Sequence, residues 1–423
     1  MTSSLVTSVT IDHSDRLRSV PDDRYNRERG IHLRFIQVGN RFLVQAWGSA
    51  FPEDGGGGYQ GTLSLSVDVV RDGIEDLRAV WQRELIDHVD PGVRPTRRPF
   101  VDEWDLSAPA EHERADRAAL ALARAGYTLF CLLFANGDAG LKEIADHLTR
   151  ALRGGEHVIT VESDDVFVPW CMLYVPLSDQ DSVWASGYRW RPEGFWGYQH
   201  LVEHNFSRWP GFDSRIALPG ALARVGLNVD HRVDEEYPPT PYVAPVVDFF
   251  TENAVTTVRT SKVALAEAMR DPAFADHIVY FGCHGRVGGT DERAYLVLAD
   301  DEKIYGTEVL AWLSGMALPS SPVVFVGACQ GGQLASVFYP AFGHHLLHHG
   351  ARCLVGPQID LPRAFARVYA LRLFAAFLVP HTRLGDAVRG LTREFLDRYR
   401  NPLGLIFSLY RGIDVHLAPG EGV

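Results

Sequence analysis

Alternating apolar positions open the patterned part of the chain. Leu33-Arg-Phe-Ile-Gln-Val38 and Arg41-Phe-Leu-Val-Gln-Ala46 flank Gly39-Asn40. They read as a β-hairpin, because glycine and asparagine tolerate the positive φ angles of a tight turn. Ahead of them, residues 1–30 are polar, charged and aperiodic, and are expected to be ill-ordered. Thr62 to Val69 alternates as a half-buried strand, after which Ile74, Leu77, Val80, Trp81 and Leu85 fall at helical spacing. The glycines Gly55 to Gly58 lack a following Lys-Ser/Thr and precede a strand, so they read as a flexible loop rather than a phosphate cradle. Residues 90–110, with Pro91, Pro95, Pro99 and Pro109 among charges, read as a linker.

Beyond the linker the pattern alternates. A helix over Glu111–Ala125, a strand over Thr128–Phe134, a helix over Leu141–Leu152 and a strand over His157–Val161 indicate a parallel sheet. Residues 180–213 carry Trp184, Trp190, Trp196 and Trp209 in an aromatic-rich connection, read as interdomain packing in preference to a substrate groove. A second α/β unit begins near Ile216. Its predicted strands are Leu227–Val229, the run from His277 to Phe281, Ala294–Leu298, Val323–Val326 and Arg352–Val355.

Two of these strands end in reactive residues. Val323 to Val326, entered from Pro322, reads as a buried parallel strand, and Cys329 follows its carboxyl end with Gly331 and Gly332 behind it. The run from His277 ends in Gly282-Cys-His284-Gly285. Neighbouring parallel strands deliver both side chains to one edge, where ligands gather in open α/β sheets. The turn at Asp300-Asp301 and a helix over Thr307–Leu313 supply the crossover such neighbours need. A cysteine of ordinary pKa is only a few per cent thiolate at neutral pH, so a nucleophilic one needs a base or cation beside it. A strand-end cysteine alone is most often a small buried hydrophobe, and a lone histidine is most often structural. Both at equivalent strand ends, each beside glycine, point to a pair.

Bulk properties narrow the classes. A length of 423 residues with 46% hydrophobic content gives two or three units with real cores. A formal charge of −12 argues against a nucleic-acid partner. The apolar helix near Phe374–Val379 is too short to cross a membrane, and the first residues show no signal peptide. Five scattered cysteines fit reduced thiols in the cytoplasm, and the excess of arginine over lysine fits a high-GC bacterial gene. Four histidines between Gly343 and Gly350 lie on adjacent turns. They read as a helix C-terminus capped by Gly350 rather than as a zinc site, and neither metal nor cofactor is expected.

The block Gly327-Ala-Cys-Gln-Gly331 resembles the Q-A-C-[RQG]-G signature of caspases at all positions but the first, with His284-Gly285 upstream. Residues 116–423 also look like CHAT domains, caspase-like cysteine peptidases related to separase. The similarity runs through Val166–Tyr174, Phe195–Tyr198, Tyr280–Gly285, Ala351–Gly356 and Asn401–Tyr410. It implies an α/β fold with a mostly parallel sheet sandwiched by helices, a catalytically silent first half and an N-terminal β-rich extension. The chain then divides into a flexible 1–30, a hairpin, helix and linker region 31–110, a non-catalytic half 111–215 and a catalytic half 216–423. The resemblance further implies an endopeptidase with Cys329 as nucleophile, His284 as acid and base, and the backbone amides of Gly285 and Cys329 as oxyanion hole. Gly327 and Gln330 would border the substrate. Because Gly327 replaces the glutamine that serves an acidic residue before the cut in caspases, cleavage after aspartate is not implied. Asp360, past the next strand, is the candidate for a basic residue there, with helix capping by Asp360 weighed equally. Protein or peptide substrates and an activating sensor or partner are the implied contacts. No tetratricopeptide repeat is evident, which puts any sensor on a separate chain.

Two alternatives stay open at this level. Gly327-x-Cys329-x-Gly331 also satisfies a cysteine version of the nucleophile elbow of α/β-hydrolases, in which His381 or His416 would serve with Asp360. The fold could also persist without its chemistry, as a scaffold or signalling module.

Overall fold

Strand pairing builds one large sheet from two halves that run in opposite directions. The computed structural model describes residues 27–52, 58–90, 96–206, 213–235, 240–288, 293–327 and 342–419. In chain order the strands are β1 (Ile31–Val38), β2 (Arg41–Trp47), β3 (Tyr59–Leu63), β4 (Val158–Glu162), β5 (Leu201–Asn205), β6 (Arg215–Leu218), β7 (Arg224–Val229) and β8 (Val255–Arg259). They continue with β9 (Ile278–Gly282), β10 (His284–Gly288), β11 (Arg293–Val297), β12 (Lys303–Tyr305), β13 (Val323–Val326), β14 (Cys353–Pro357), β15 (Phe407–Tyr410) and β16 (His416–Pro419). The large sheet has the order β3-β2-β1-β4-β5-β15-β14-β13-β9-β7-β8. β1, β4, β5 and β15 are mutually parallel, as are β14, β13, β9, β7 and β8. The halves meet at the antiparallel pair β14 and β15, so their carboxyl ends lie on opposite rims.

Both faces of the sheet are covered, which is why its central strands read as unbroken apolar runs. Ile278, Tyr280, Val323, Phe325, Cys353 and Val355 join the larger core with Phe250 and Phe374 of the helices Val243–Asn253 and Arg363–Phe377. Their neighbours Val279, Phe281, Val324, Val326 and Leu354 join a second core with Leu265, Val309 and Leu346 of the helices Lys262–Arg270, Gly306–Trp312 and His344–His348. This mostly parallel sheet between helices is the expected architecture. Leu33, Leu122 and Tyr280 belong to the same core cluster, so that core spans all three predicted regions after residue 30.

The hairpin forms as expected, with Val38 opposite Arg41 and Gly39 at φ +60°. Other elements differ from the sequence reading. Thr128–Phe134 is no strand but the end of the helix His112–Phe134. Its aromatics continue the buried stripe of Ala115, Ala118, Ala119, Leu122 and Ala123 at helical spacing, and Gly126 leaves room for the chain at Met172, whose oxygen lies 2.5 Å from where a Cβ would stand. Residues 109–134 are therefore long and apolar enough to cross a membrane, unlike the shorter helix considered first, and half of the apolar window is buried in this fold. The strand predicted over Thr62–Val69 stops at Leu63, because Ser66 caps the helix Val67–Trp81 through the amide of Val69. Ala294–Leu298 leaves the main sheet: β11 lies between β10 and β12 in a separate antiparallel sheet. The aromatic connection contains the central strand β5, and within it Trp196 is buried while Trp184 is 62% exposed. Order also begins before Ile31, since Arg29 is buried on Asp414 and Glu203. Residues 1–26, Gly55 to Gly57, Pro91, Pro95 and Trp209 lie outside the described residues.

Candidate active site

β9 and β13 are direct parallel neighbours, with Phe281 opposite Val326. The ladder extends one step further, the amide of Gly327 donating to the carbonyl of Phe281 at 2.8 Å, while the amide of Asp230 donates to Gly282 at 3.0 Å. The ends of β7, β9 and β13 thus share one rim. At Gly282 the chain swings out of the main sheet; a Cβ there would meet the Tyr280 ring at 2.6 Å. Cys283 is fully buried, and His284, 4% exposed, begins β10 opposite Val297. Gly285 follows, buried. His284 lines a cleft of about 200 Å³ together with Arg232, Arg286, Tyr295, Val297, Asp301 and Lys303.

Gly327 is held from beneath. The Tyr242 hydroxyl donates to its carbonyl at 2.7 Å, and the Tyr280 hydroxyl donates to Tyr242 at 2.8 Å. Tyr242 is placed by Asp234, whose carboxylate accepts from the amides of Tyr242, Val243 and Ala244 and so satisfies the start of the helix Val243–Asn253. Nearby, Asp230 is fully buried and takes a two-point hydrogen bond from Arg232, both contacts at 2.9 Å. Arg232 reaches on to Asp301 at 2.8 Å and to the carbonyl of Leu298. These bonds, Asp230 first, raise the guanidinium pKa further above its ordinary value.

Asp360 lies past the end of β14, on the rim that carries Gly327. Gln82 grips it twice: its Nε2 donates to the Asp360 carboxylate at 3.0 Å, and its Oε1 accepts from the Asp360 amide at 3.3 Å. Gln82 opens a single π-helical turn, Gln82–Ile86, a local irregularity often found at functional positions. The helix after Asp360 starts at Arg363, with Pro362, whose side chain has no acceptor, at the cap position. Two residues earlier, Gln358 accepts from buried Arg78 at 2.9 Å and donates to Tyr410 at 3.0 Å. Cys329 and Gln330 lie outside the described residues.

Burial pushes the thiols of Cys171 and Cys353 up to about 12 and raises that of half-buried Cys131. Cys283 is sealed in the second core. Among the described residues no group of three or more His, Cys, Asp or Glu could hold a metal ion. Gly350, at φ +104° just past the helix His344–His348, takes the left-handed cap position expected for it.

The hydrolase alternative meets a topological obstacle. β15 runs from Phe407 beside Pro357 to Tyr410 beside Leu354, so the chain after it emerges where β14 begins. Arg411 donates there to the carbonyl of Arg352. His416 follows on β16, and His381 donates its amide to Leu417. Both histidines therefore sit toward the rim opposite Gly327.

No local pattern marks Tyr242, Asp234 or Gln82, and sequence reasoning missed all three. Tyr242 and Gly327 are 85 positions apart, Gln82 and Asp360 278.

No family model matches the chain. A probable protease of Vitiosangium sp. (strain GDMCC 1.1324) is 25% identical over 235 residues, 54% of this chain and 30% of that protein, so the chain spans under a third of this relative. Among solved structures, a Saccharomyces cerevisiae separase–securin complex aligns over 92% of this chain and 30% of its own, at 8% identity and TM-score 0.44. The complex of Porphyromonas gingivalis RgpB pro- and mature domains aligns over 64% of this chain and 70% of its own, at 9% identity and TM-score 0.37.

Proposed function

We propose that the chain is a caspase-like cysteine endopeptidase. The observation that carries this reading is the parallel pairing of β9 with β13, which brings the strand end before His284 and Gly327, two residues short of Cys329, to one rim. That Cys171, Cys283 and Cys353 are buried and Cys131 is half-buried supports Cys329 as nucleophile, and the 25% identity to a probable protease supports a peptidase.

In this reading the Cys329 thiolate attacks the scissile carbonyl carbon, and the amides of Gly285 and Cys329 receive the oxyanion. The carbon–nitrogen bond breaks as His284 gives its proton to the departing amine. Water then adds to the thioester, His284 takes the water's proton and returns it to sulfur, and the acid product leaves. Asp360 receives a basic side chain before the cut, while Gly327 and Gln330 border the substrate backbone. No cofactor is required, and an activating partner chain governs access.

The test is an unbiased peptide-library digestion together with labelling by an electrophilic thiol probe. Wild type cleaves and is labelled at Cys329; Cys329→Ala and His284→Ala do not cleave, and their unfolding midpoints stay near wild type. Cleavage by Cys329→Ala at the wild-type rate would overturn the reading.

A further inference from the structure

The three-stranded sheet that begins at His284 is two-faced. Cross-strand register aligns His284 with Val297 and Val297 with Lys303, and in the next row Arg286 with Tyr295 and Tyr295 with Tyr305. Because side chains alternate along a strand, one face carries His284, Arg286, Tyr295, Val297 and Lys303. The opposite face carries Ala294, Leu296 and Ile304, which are buried in the second core. The polar face is the one that lines the cleft of about 200 Å³. Period-two patterning thus concentrates charge where the apolar residues cannot go.

That charge is positive. Among the described lining residues, Arg232, Arg286 and Lys303 face Asp301; Arg232 is bound to Asp301 at 2.8 Å and to buried Asp230, so the surplus positive charge among them rests on Arg286 and Lys303. Arg286 and Lys303 are exposed, and the Lys303 ammonium rests over the Tyr295 ring at 4.7 Å, which keeps it on this face. A basic cleft in a chain of formal charge −12 is a local departure from the rest of the molecule.

We propose that this face is a subsite for an acidic side chain of the substrate, on the leaving-group side of the cut, with Arg286 and Lys303 as its cationic contacts. It rests on the peptidase reading: His284 protonates the departing amine, so the surface extending from His284 across β11 to β12 meets the segment that follows the scissile bond. Strand spacing puts Lys303 about 10 Å from His284, and an extended peptide rises about 3.3 Å per residue. The second and third residues after the cut are therefore the ones in reach. A glutamate there gains two cations at a partly open surface, an attraction that salt weakens.

The experiment compares two fluorogenic peptides, acetyl-Ala-Ala-Arg-Ala-Glu-Glu and acetyl-Ala-Ala-Arg-Ala-Gln-Gln, as substrates and, in the Cys329→Ala background, as ligands by fluorescence anisotropy. Wild type should favour the Glu peptide in kcat/KM by about fivefold at low salt. The double variant Arg286→Glu, Lys303→Glu should reverse that ratio. The Cys329→Ala chain should bind the Glu peptide more tightly, and the charge reversal should abolish the difference. Equal handling of the two peptides by wild type and by Cys329→Ala overturns the subsite and leaves the peptidase reading intact if wild type cleaves both. Cleavage that survives Cys329→Ala overturns the peptidase reading, and the anisotropy comparison then still decides whether the cleft selects carboxylates.

Discussion

The Tyr242 hydroxyl donates to the carbonyl of Gly327 at 2.7 Å, and a Cβ on Gly327 would stand 1.9 Å from that same oxygen. The glycine before Cys329 is thus set by a tyrosine from a distant helix start. Tyr242→Phe removes this donor and the acceptor of the Tyr280 hydroxyl, and should cost about 1–3 kcal/mol, the range for a buried hydrogen bond that loses one partner. Urea unfolding measures the loss, and thiol-probe labelling should show Cys329 reacting at a changed rate. An unchanged midpoint and an unchanged labelling rate would mean the contact does not restrain Gly327.

Asp360 is oriented by both ends of the Gln82 amide. Asp360→Asn should lower kcat/KM for cleavage after arginine about 100-fold relative to cleavage after leucine, consistent with loss of a charge-assisted contact. Gln82→Ala should lower the same ratio about tenfold by freeing the carboxylate. Ratios equal to wild type in both variants would remove Asp360 from substrate selection.

Arg78 is 3% exposed and donates to the carbonyl of Phe167 and the side chain of Gln358 at the end of β14. Arg78→Met keeps the volume but withdraws donors from two enclosed acceptors. A loss of about 2–4 kcal/mol is expected by denaturant titration. A loss below about 0.5 kcal/mol would show that the acceptors find other donors.

Burial holds His200 down to about 3 and His204 down to about 4, with the charge of His157 adding to the first and a hydrogen bond to Ser163 opposing the second. His204 accepts from the Trp170 indole on Nδ1 and meets the Ser163 carbonyl through Nε2, so the neutral ring uses both nitrogens. Below about pH 6.5 the unfolded chain takes up protons that the fold refuses, so these groups lower stability as pH falls from 6.5 toward 4. Each should contribute about 1.4 kcal/mol per pH unit in that window, and nothing above it. His204→Asn should flatten the fall between pH 7.5 and 5.0 in denaturant midpoints; an identical slope would discount His204 as a source.

The main rim was legible because its signals are local. Val323–Val326 and Ile278–Phe281 are continuous apolar runs, each ending near a glycine and a reactive side chain, and a strand buried on both faces cannot look otherwise. Period alone did not distinguish the end of the helix His112–Phe134 from a strand, since a short aromatic-rich run fits both until its neighbours along the helix are counted.

What the sequence determined by itself is the identity of the strands that meet at His284 and Gly327, because burial dictates their composition residue by residue. What only the tertiary structure decided is which polar groups are joined across long separations. β5 looks polar, yet Glu203 is buried because Thr160, Arg29 and the amide of Ile413 bond to it, and His204 because Trp170 and Ser163 do. The grip of Gln82 on Asp360 and of Tyr242 on Gly327 has the same origin. Such groups can leave water only where partners from elsewhere in the chain replace it, and a linear sequence does not say which partners arrive.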